Sequence, residues 1–240
     1  YLVGARYFAP EAYDYSGVRI NKATGEFVES SADGIVDKPE LIGNLVQNYI
    51  ELGEDRPFVV FANSVAHSRH ITQRFCDAGI PCAHIDCKVD NDRREELFQE
   101  VRDGRIRGLS NYGILDRGFD LEILSVCILA RKFRNLATYI QAGCRVTRFA
   151  PGKDMAIIID HAGNVADHGF LDDDFEWSLD EDNNQKSRDE REKKQKPITC
   201  WKCKTIYTGS NCPKCSAGNN PPVICPDCNN EIHGPFCHHC

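Results

Sequence analysis

The apolar positions change period several times along the chain, and each change marks an element. Up to about residue 36, β-forming residues stand in short groups (YLVGARYFAP, SGVRI, GEFVES) broken by Gly, Asn and Pro, which predicts extended segments and turns. The period then becomes helical. Leu41, Leu45, Tyr49 and Leu52 fall on one face, Asp37 is the candidate N-cap, Pro39 stands in the first turn, and Gly53 ends the run. Beyond it, short apolar runs alternate with amphipathic ones. Residues 58–63, 82–86, 106–110, 125–130 and 155–160 are predicted strands, and 64–76, 90–103 and 135–148 are predicted helices. Apolar strands separated by helices predict an α/β fold: a parallel sheet with helices on both faces and right-handed crossovers. Asp160 and His161 close the last strand with no nucleophile beside them in sequence, so a local structural role is expected. Cys76, Cys82 and Cys127 read as core thiols.

Charge divides the chain further. The 29 basic and 36 acidic residues leave a net −7. Seven acids and no base lie between Asp172 and Asp182, so this stretch carries the whole imbalance. From Lys186 to Lys204 there are eight bases and three acids. An acidic total therefore does not exclude nucleic acid. Residues 183–197 contain no aliphatic or aromatic residue and read as a linker. There is no membrane-spanning apolar run and no signal-peptide pattern, which points to a cytoplasmic protein with reduced thiols. The first residue, Tyr1, suggests a start inside a longer reading frame.

Eight of the 13 cysteines crowd the last 41 residues as Cys-x-x-Cys pairs: Cys200/Cys203, Cys212/Cys215, Cys225/Cys228 and Cys237/Cys240. Adding 25 to the first four positions gives the last four, an internal repeat. Each Cys-x-x-Cys turn directs two thiolates at one ion, and two turns complete a tetrahedral site, so two structural Zn²⁺ ions are expected. Such short segments have little core, and metal binding would supply their folding energy. The module resembles tandem zinc ribbons, although Lys204, Ser216 and Asn229 stand where such knuckles usually carry Gly. His233, His238 and His239 are expected to be exposed rather than ligating. Loss of metal is expected to unfold residues 200–240 and leave the α/β lobe intact.

The α/β region carries a second signal. RPFVVFANSVAHSRHI (56–71), SNYGILDRGFD (110–120) and YIQAGCRVTR (139–148) resemble motifs IV, V and VI of superfamily-2 DEAD/DEAH-box helicases, in order. The segments HID…DRREELFQEVRDG (84–104) and APGKDMAIIIDHAGNVADHG (150–169) agree with the same family. With the cysteine tail, the pattern looks most like RadD-type and phage helicases. The resemblance implies a RecA-like second lobe over residues 37–179, preceded by an inter-lobe segment (1–36) and followed by a charged linker (180–198) and the zinc module (199–240).

The same resemblance implies roles. Arg145 occupies the arginine-finger position and Arg148 the second motif VI arginine, with Gln141 ordering them; a helix through 148 would put all three on one face. Gly118 and Asp120 match the nucleotide-facing part of motif V. Ser64, Ser110 and Asn111 match positions near nucleic acid. ATP with Mg²⁺ would be shared with a missing N-terminal lobe, since the chain has no phosphate-binding Gly-x-x-x-x-Gly-Lys-Ser/Thr and no DEAD/DEAH box. Alone it is expected to be inactive. Nucleic acid, DNA before RNA, is the implied partner, with a protein partner for the zinc module as a further one. Cys144 replaces a motif VI Gly, Cys87 a Gly common after HID, and Asp116, Arg117 and Glu122 alter motif V. These departures keep open a second reading, a catalytically decayed lobe serving as a zinc-ribbon scaffold.

Overall fold

The computed structural model describes residues 2–10, 13–22, 27–114, 121–173 and 197–221, and the backbone of two short strands at 223–224 and 231–232. Six strands form one sheet: β1 (Ala5–Phe8), β2 (Phe58–Phe61), β3 (Cys82–Ile85), β4 (Gly108–Asn111), β5 (Val126–Leu129) and β6 (Ala156–Asp160). Their order is β1-β6-β5-β2-β4-β3 and every neighbouring pair is parallel. The helices are α1 (Glu29–Val36), α2 (Pro39–Leu52), α3 (Val65–Asp77), α4 (Asn91–Arg102), α5 (Leu136–Gly143) and α6 (Asn164–His168).

The period of two in the strands builds a core on each face. Phe58, Val60, Val126, Ile128, Ile157 and Ile159 join α2 and α3 in one cluster. Val59, Phe61, Cys127, Leu129, Ala156 and Ile158 join residues of α4, α5 and α6 in the other. Phe58 stacks on Phe75 with ring centroids 4.4 Å apart and meets Tyr49 at 4.5 Å. Burying a side chain of this kind contributes about 2–3 kcal/mol. A Cβ on Gly108 would lie 2.5 Å from the Phe58 ring, so the neighbouring strand needs glycine there.

Several expectations are corrected. The first 36 residues are not merely extended: β1 is one edge strand of the sheet, paired with β6, and residues 29–36 form α1. The helical period of α1 is short, with only Ala32 and Val36 buried, which hides it in the sequence. Asp37 does not cap α2. Lys38 holds the N-cap position without a capping side chain, and the Asp37 carboxylate instead accepts from His70 Nδ1 at 2.8 Å. The buried face of α2 is Ile42, Leu45, Val46 and Tyr49; Leu41 and Leu52 are only half-buried. Cys76 is exposed, whereas Cys82 and Cys127 are buried as expected. The helix foreseen over 135–148 stops at Gly143. Two tight turns follow, Arg145 N donating to Ala142 O and Val146 N to Gly143 O, and then Val3 N bonds Thr147 O at 2.7 Å. Pairing with the N-terminal segment thus draws the chain off the helix axis.

The helices expected from 64, 90 and 135 begin where predicted. Ser64 caps α3 by accepting from His67 N at 3.0 Å, Asp90 caps α4 by accepting from Arg93 N at 2.8 Å, and Asn135 caps α5. No helix among the described residues is long and apolar enough to cross a membrane.

The cysteine-rich end starts with an antiparallel pair, β7 (Ile198–Thr199) with β8 (Ile206–Tyr207). A second pair, β9 (Val223–Ile224) with β10 (Glu231–Ile232), repeats it at an offset of 25 residues. The first hairpin is joined to the lobe. Phe8 bridges to Thr205, Ala9 N donates to Lys204 O at 3.0 Å, and Ile206 enters the α4–α6 core. Lys214 Nζ lies 4.7 Å from the Phe8 ring centroid. The hairpin therefore covers the edge that β1 would otherwise expose.

Candidate nucleotide and nucleic-acid interface and metal centre

In an open parallel sheet, groups that bind ligands gather beyond the carboxyl ends of the strands. Three of the sequence-selected positions lie there, but their side chains turn inward. Ser64, after β2, is buried and used as a helix cap. Ser110, on β4, lies 2.8 Å from Ser68 Oγ, which in turn lies 2.7 Å from His84 Nδ1. Asn111 donates to Val60 O at 2.7 Å and is buried. At the far end of the Ser110–Ser68–His84 chain, His84 Nε2 faces Asp86 Oδ2 at 3.2 Å. Burial opposes ionisation of Asp86, but the Lys88 N–H and His84 hold its carboxyl below the ordinary range. These polar groups lock β3, β4 and α3 together.

The residues after them are more open. Asn63 Nδ2 donates to Asp33 Oδ1 at 2.8 Å and to Glu29 O at 3.1 Å, and the Tyr112 hydroxyl donates to the Glu29 carboxylate. The loop after β5 brings Arg131, Lys132 and Arg134 to the same end of the sheet. Arg131 packs on Phe133 with its guanidinium 4.7 Å from the ring centroid, and Lys132 pairs with Asp167 at 2.9 Å. The loop is held from below. Asn164 accepts from Phe133 N at 2.8 Å and donates to Arg131 O at 3.0 Å, while buried Asp160 accepts from Asn164 Nδ2, Ala162 N and Val165 N. Asp160 thus has the local structural role expected of it. Sequence reasoning passed over this basic loop; three bases in four residues directly after a strand were the available signal.

Gln141 is exposed in the last turn of α5, and Arg145 and Arg148 are half-buried in the turns that follow it. The three do not share a continuous helix face, a correction that follows from the stop at Gly143. Cys144 has φ −64° and ψ −10°, an ordinary right-handed conformation, so its side chain needs no glycine backbone. Burial pushes its thiol upward, against Thr147, Arg145 and Arg148. Gly118 and Asp120 lie outside the described residues.

In the tail, the Sγ atoms of Cys200, Cys203, Cys212 and Cys215 all lie within 4.8 Å of one another. Cys200 and Cys215 are 3.6 Å apart, and Cys203 and Cys212 3.5 Å. Four thiolates about 2.3 Å from a tetrahedral Zn²⁺ would be separated by about 3.8 Å, so the donor set fits such an ion. The two knuckles match bond for bond. Lys204 N donates to Cys200 O and Cys200 N to Thr205 O; Ser216 N donates to Cys212 O and Cys212 N to Ala217 O. Lys204 and Ser216 have φ of 62° and 58°, so the left-handed turn is kept without the usual glycine. That conformation costs about 1–2 kcal/mol in each. The second quartet, Cys225, Cys228, Cys237 and Cys240, lies outside the described residues, as do His233, His238 and His239.

The six strands form a parallel sheet with helices on both faces, the α/β lobe on which the motif residues stand. Residues 37–150 match the family described as helicase conserved C-terminal domain. A Lactococcus phage relative, described as a 51.5 kDa protein, is 29% identical over 90% of this chain and 44% of its own length. The Arabidopsis thaliana DEAD-box ATP-dependent RNA helicase 8 is 29% identical over 38% of this chain and 18% of its own length. Among solved structures, the C-terminal domain of the DEAD-box protein Dbp5 aligns with a TM-score of 0.47 at 17% identity, over 68% of this chain and 79% of that one. The chain therefore spans less than half the length of the curated relatives named here.

Proposed function

We propose that the chain is the C-terminal part of an ATP-dependent nucleic-acid helicase or translocase. The observation that carries this is the match of residues 37–150 to the helicase domain, with motif VI intact at both arginines. ATP with Mg²⁺ would be held by a separate N-terminal lobe. Arg145 would reach the transferring phosphoryl group, Arg148 and Gln141 would hold the geometry, and Gly118 and Asp120 would face the nucleotide. Cations placed where charge develops lower the barrier, and an arginine of this kind is worth about 10³–10⁵ in turnover. DNA is placed before RNA as substrate, as the resemblance to RadD-type and phage helicases implies.

The Cys200–Cys203–Cys212–Cys215 quartet would hold one structural Zn²⁺, and the 25-residue repeat supports a second ion at Cys225, Cys228, Cys237 and Cys240. Closed four-thiolate sites leave no open coordination position, so the metal's part is to fold the ribbon. The module would then contact nucleic acid or a protein partner. The right-handed backbone at Cys144 favours a working motif VI over a decayed one, since the substitution asks for no rearrangement there. The test joins a helicase N-terminal lobe to this chain and measures nucleic-acid-stimulated ATPase. Arg145→Ala should reduce turnover by at least about a thousandfold; unchanged turnover removes Arg145 from this role.

A further inference from the structure

The carboxyl-end surface of the sheet is already covered by one of the chain's own elements. Glu29, Asp33 and Asp37 lie one helical turn apart along α1 and its C-cap, so their carboxylates recur about every 6 Å. Each meets a different part of the strand-end surface. Tyr112, after β4, donates to Glu29; Asn63, after β2, donates to Asp33 at 2.8 Å; and His70, on α3, lies 2.8 and 3.0 Å from the two Asp37 oxygens. The adjoining face of α1 buries Ala32 and Val36 against Tyr13, Tyr15, Val18 and Ala162, a small cluster separate from the two main cores.

Two observations set this contact apart from a decorative surface pairing. The donors sit in a row on three different elements, and the charge of Arg131 also reaches the Tyr112 hydroxyl. A row of donors with a cation beside it suits the anionic oxygens of a phosphodiester backbone. In addition, His67 is fully buried, with Nε2 lacking a hydrogen-bond partner, close enough to feel both Asp33 and Asp37. A buried polar atom left unmatched calls for an explanation, and a rearrangement of the neighbouring α1 would supply one.

We propose that α1 is an intramolecular stand-in for a nucleic-acid backbone. Its three carboxylates occupy the places of phosphate oxygens on Tyr112, Asn63 and His70, and a single strand must displace the helix to bind there. This rests on the helicase reading, and adds to it that the lobe is self-masked. The small satellite core holding α1 makes such release less costly than opening either main core. Affinity for the strand is then reduced by the fraction of molecules in which α1 is undocked.

The test uses the 240-residue chain and a fluorescein-labelled single-stranded oligothymidylate, with its ribo counterpart as a second probe. Glu29→Gln, Asp33→Asn and Asp37→Asn together should tighten binding about ten- to a hundredfold. Asp92→Asn, Glu95→Gln and Glu96→Gln on α4 remove the same charge elsewhere and should leave affinity unchanged. Adding Tyr112→Phe and Asn63→Ala to the first variant should cancel the gain. In the unaltered protein, the oligonucleotide should speed hydrogen exchange of the amides in residues 29–36. Equal gains in the two charge variants, no binding by any of them, or slower exchange in α1 on binding would each overturn the proposal. If the triple variant does not fold, Asp33→Asn alone is read in the same assays by the same criteria. The helicase reading is tested separately by the ATPase of the joined protein, so failure of the masking proposal is distinguishable from failure of that reading.

Discussion

Two buried histidines should make the lobe lose stability in mild acid, before most carboxylates titrate. His67 is fully buried, and burial lowers its imidazole to about 4, with Asp37 and Asp33 pulling only part of the way back. His161 is 2% exposed, stacks on Tyr13 at 5.8 Å, and is likewise lowered by burial to about 4. An unfolded histidine titrates near 6.5, so between about 6.5 and 4 the unfolded chain binds more protons than the native one. The stability is therefore present above about 6.5 and is lost as pH falls toward 4. At pH 5 each unfolded imidazole is almost fully protonated and each native one almost fully neutral, a penalty of about 2 kcal/mol per residue and about 4 for the pair. That is a large fraction of the net stability of a domain. Urea unfolding at pH 7.5 and at pH 5 measures it. The double variant His67→Gln, His161→Phe keeps an acceptor at the first position and a ring at the second. Its loss on acidification should be smaller than that of the parent by about 4 kcal/mol. Thiolate and carboxylate protonation is common to both proteins and cancels in the comparison. If both lose the same stability, the two imidazoles are not the buried neutral groups described.

Two further outcomes test the packing. Gly143→Ala should destabilise by about 1–3 kcal/mol, because its Cβ would lie 2.3 Å from the Leu171 side chain; urea unfolding reads the loss, and combining it with Leu171→Ala should give a coupling of opposite sign. Metal removal by a chelator, or Cys203→Ser, should speed hydrogen exchange at Ala9 and along β1 as well as in the ribbon, since Lys204 O is the acceptor for Ala9 N. Exchange confined to residues 198–221 would show that the ribbon does not hold the edge.

What the sequence made legible follows from the range of each interaction. The five predicted strands and the starts of the helices expected at 64, 90 and 135 depend on neighbours within a few positions, and they stand where expected. The paired cysteines are equally local, and the backbone repeats at the same 25-residue offset as the thiols. What sequence hid is set by distant partners. Gly143 is a weak local stop, but the departure of the chain from the helix axis after it is set by Val3 pairing with Thr147, more than 140 positions away. Nothing near Asp37 indicates that its carboxylate turns to His70, 33 positions on, rather than to its own helix. Motif resemblance marked Ser110 and Asn111 as nucleic-acid positions, yet their side chains tie strands together, and the exposed chemistry passes to the adjoining Tyr112 and to the basic loop at 131–134.

The ribbon shows the same division of information with a different consequence. Composition presents it as an appendage, cut off by a charged segment and folded by its own metal. Its first hairpin instead continues the edge of the sheet through Phe8 and Thr205 and gives Ile206 to the core of the lobe. A parallel sheet needs its edge strand covered, and β1 is short and flanked by loops. A metal-folded hairpin on β1 would therefore make the stability of the lobe depend on metal occupancy of the ribbon. The expectation that metal loss leaves the lobe intact meets this contact directly, and hydrogen exchange along β1 after chelation decides it, because the two parts share a hydrogen-bonded edge and a buried side chain rather than only a linker.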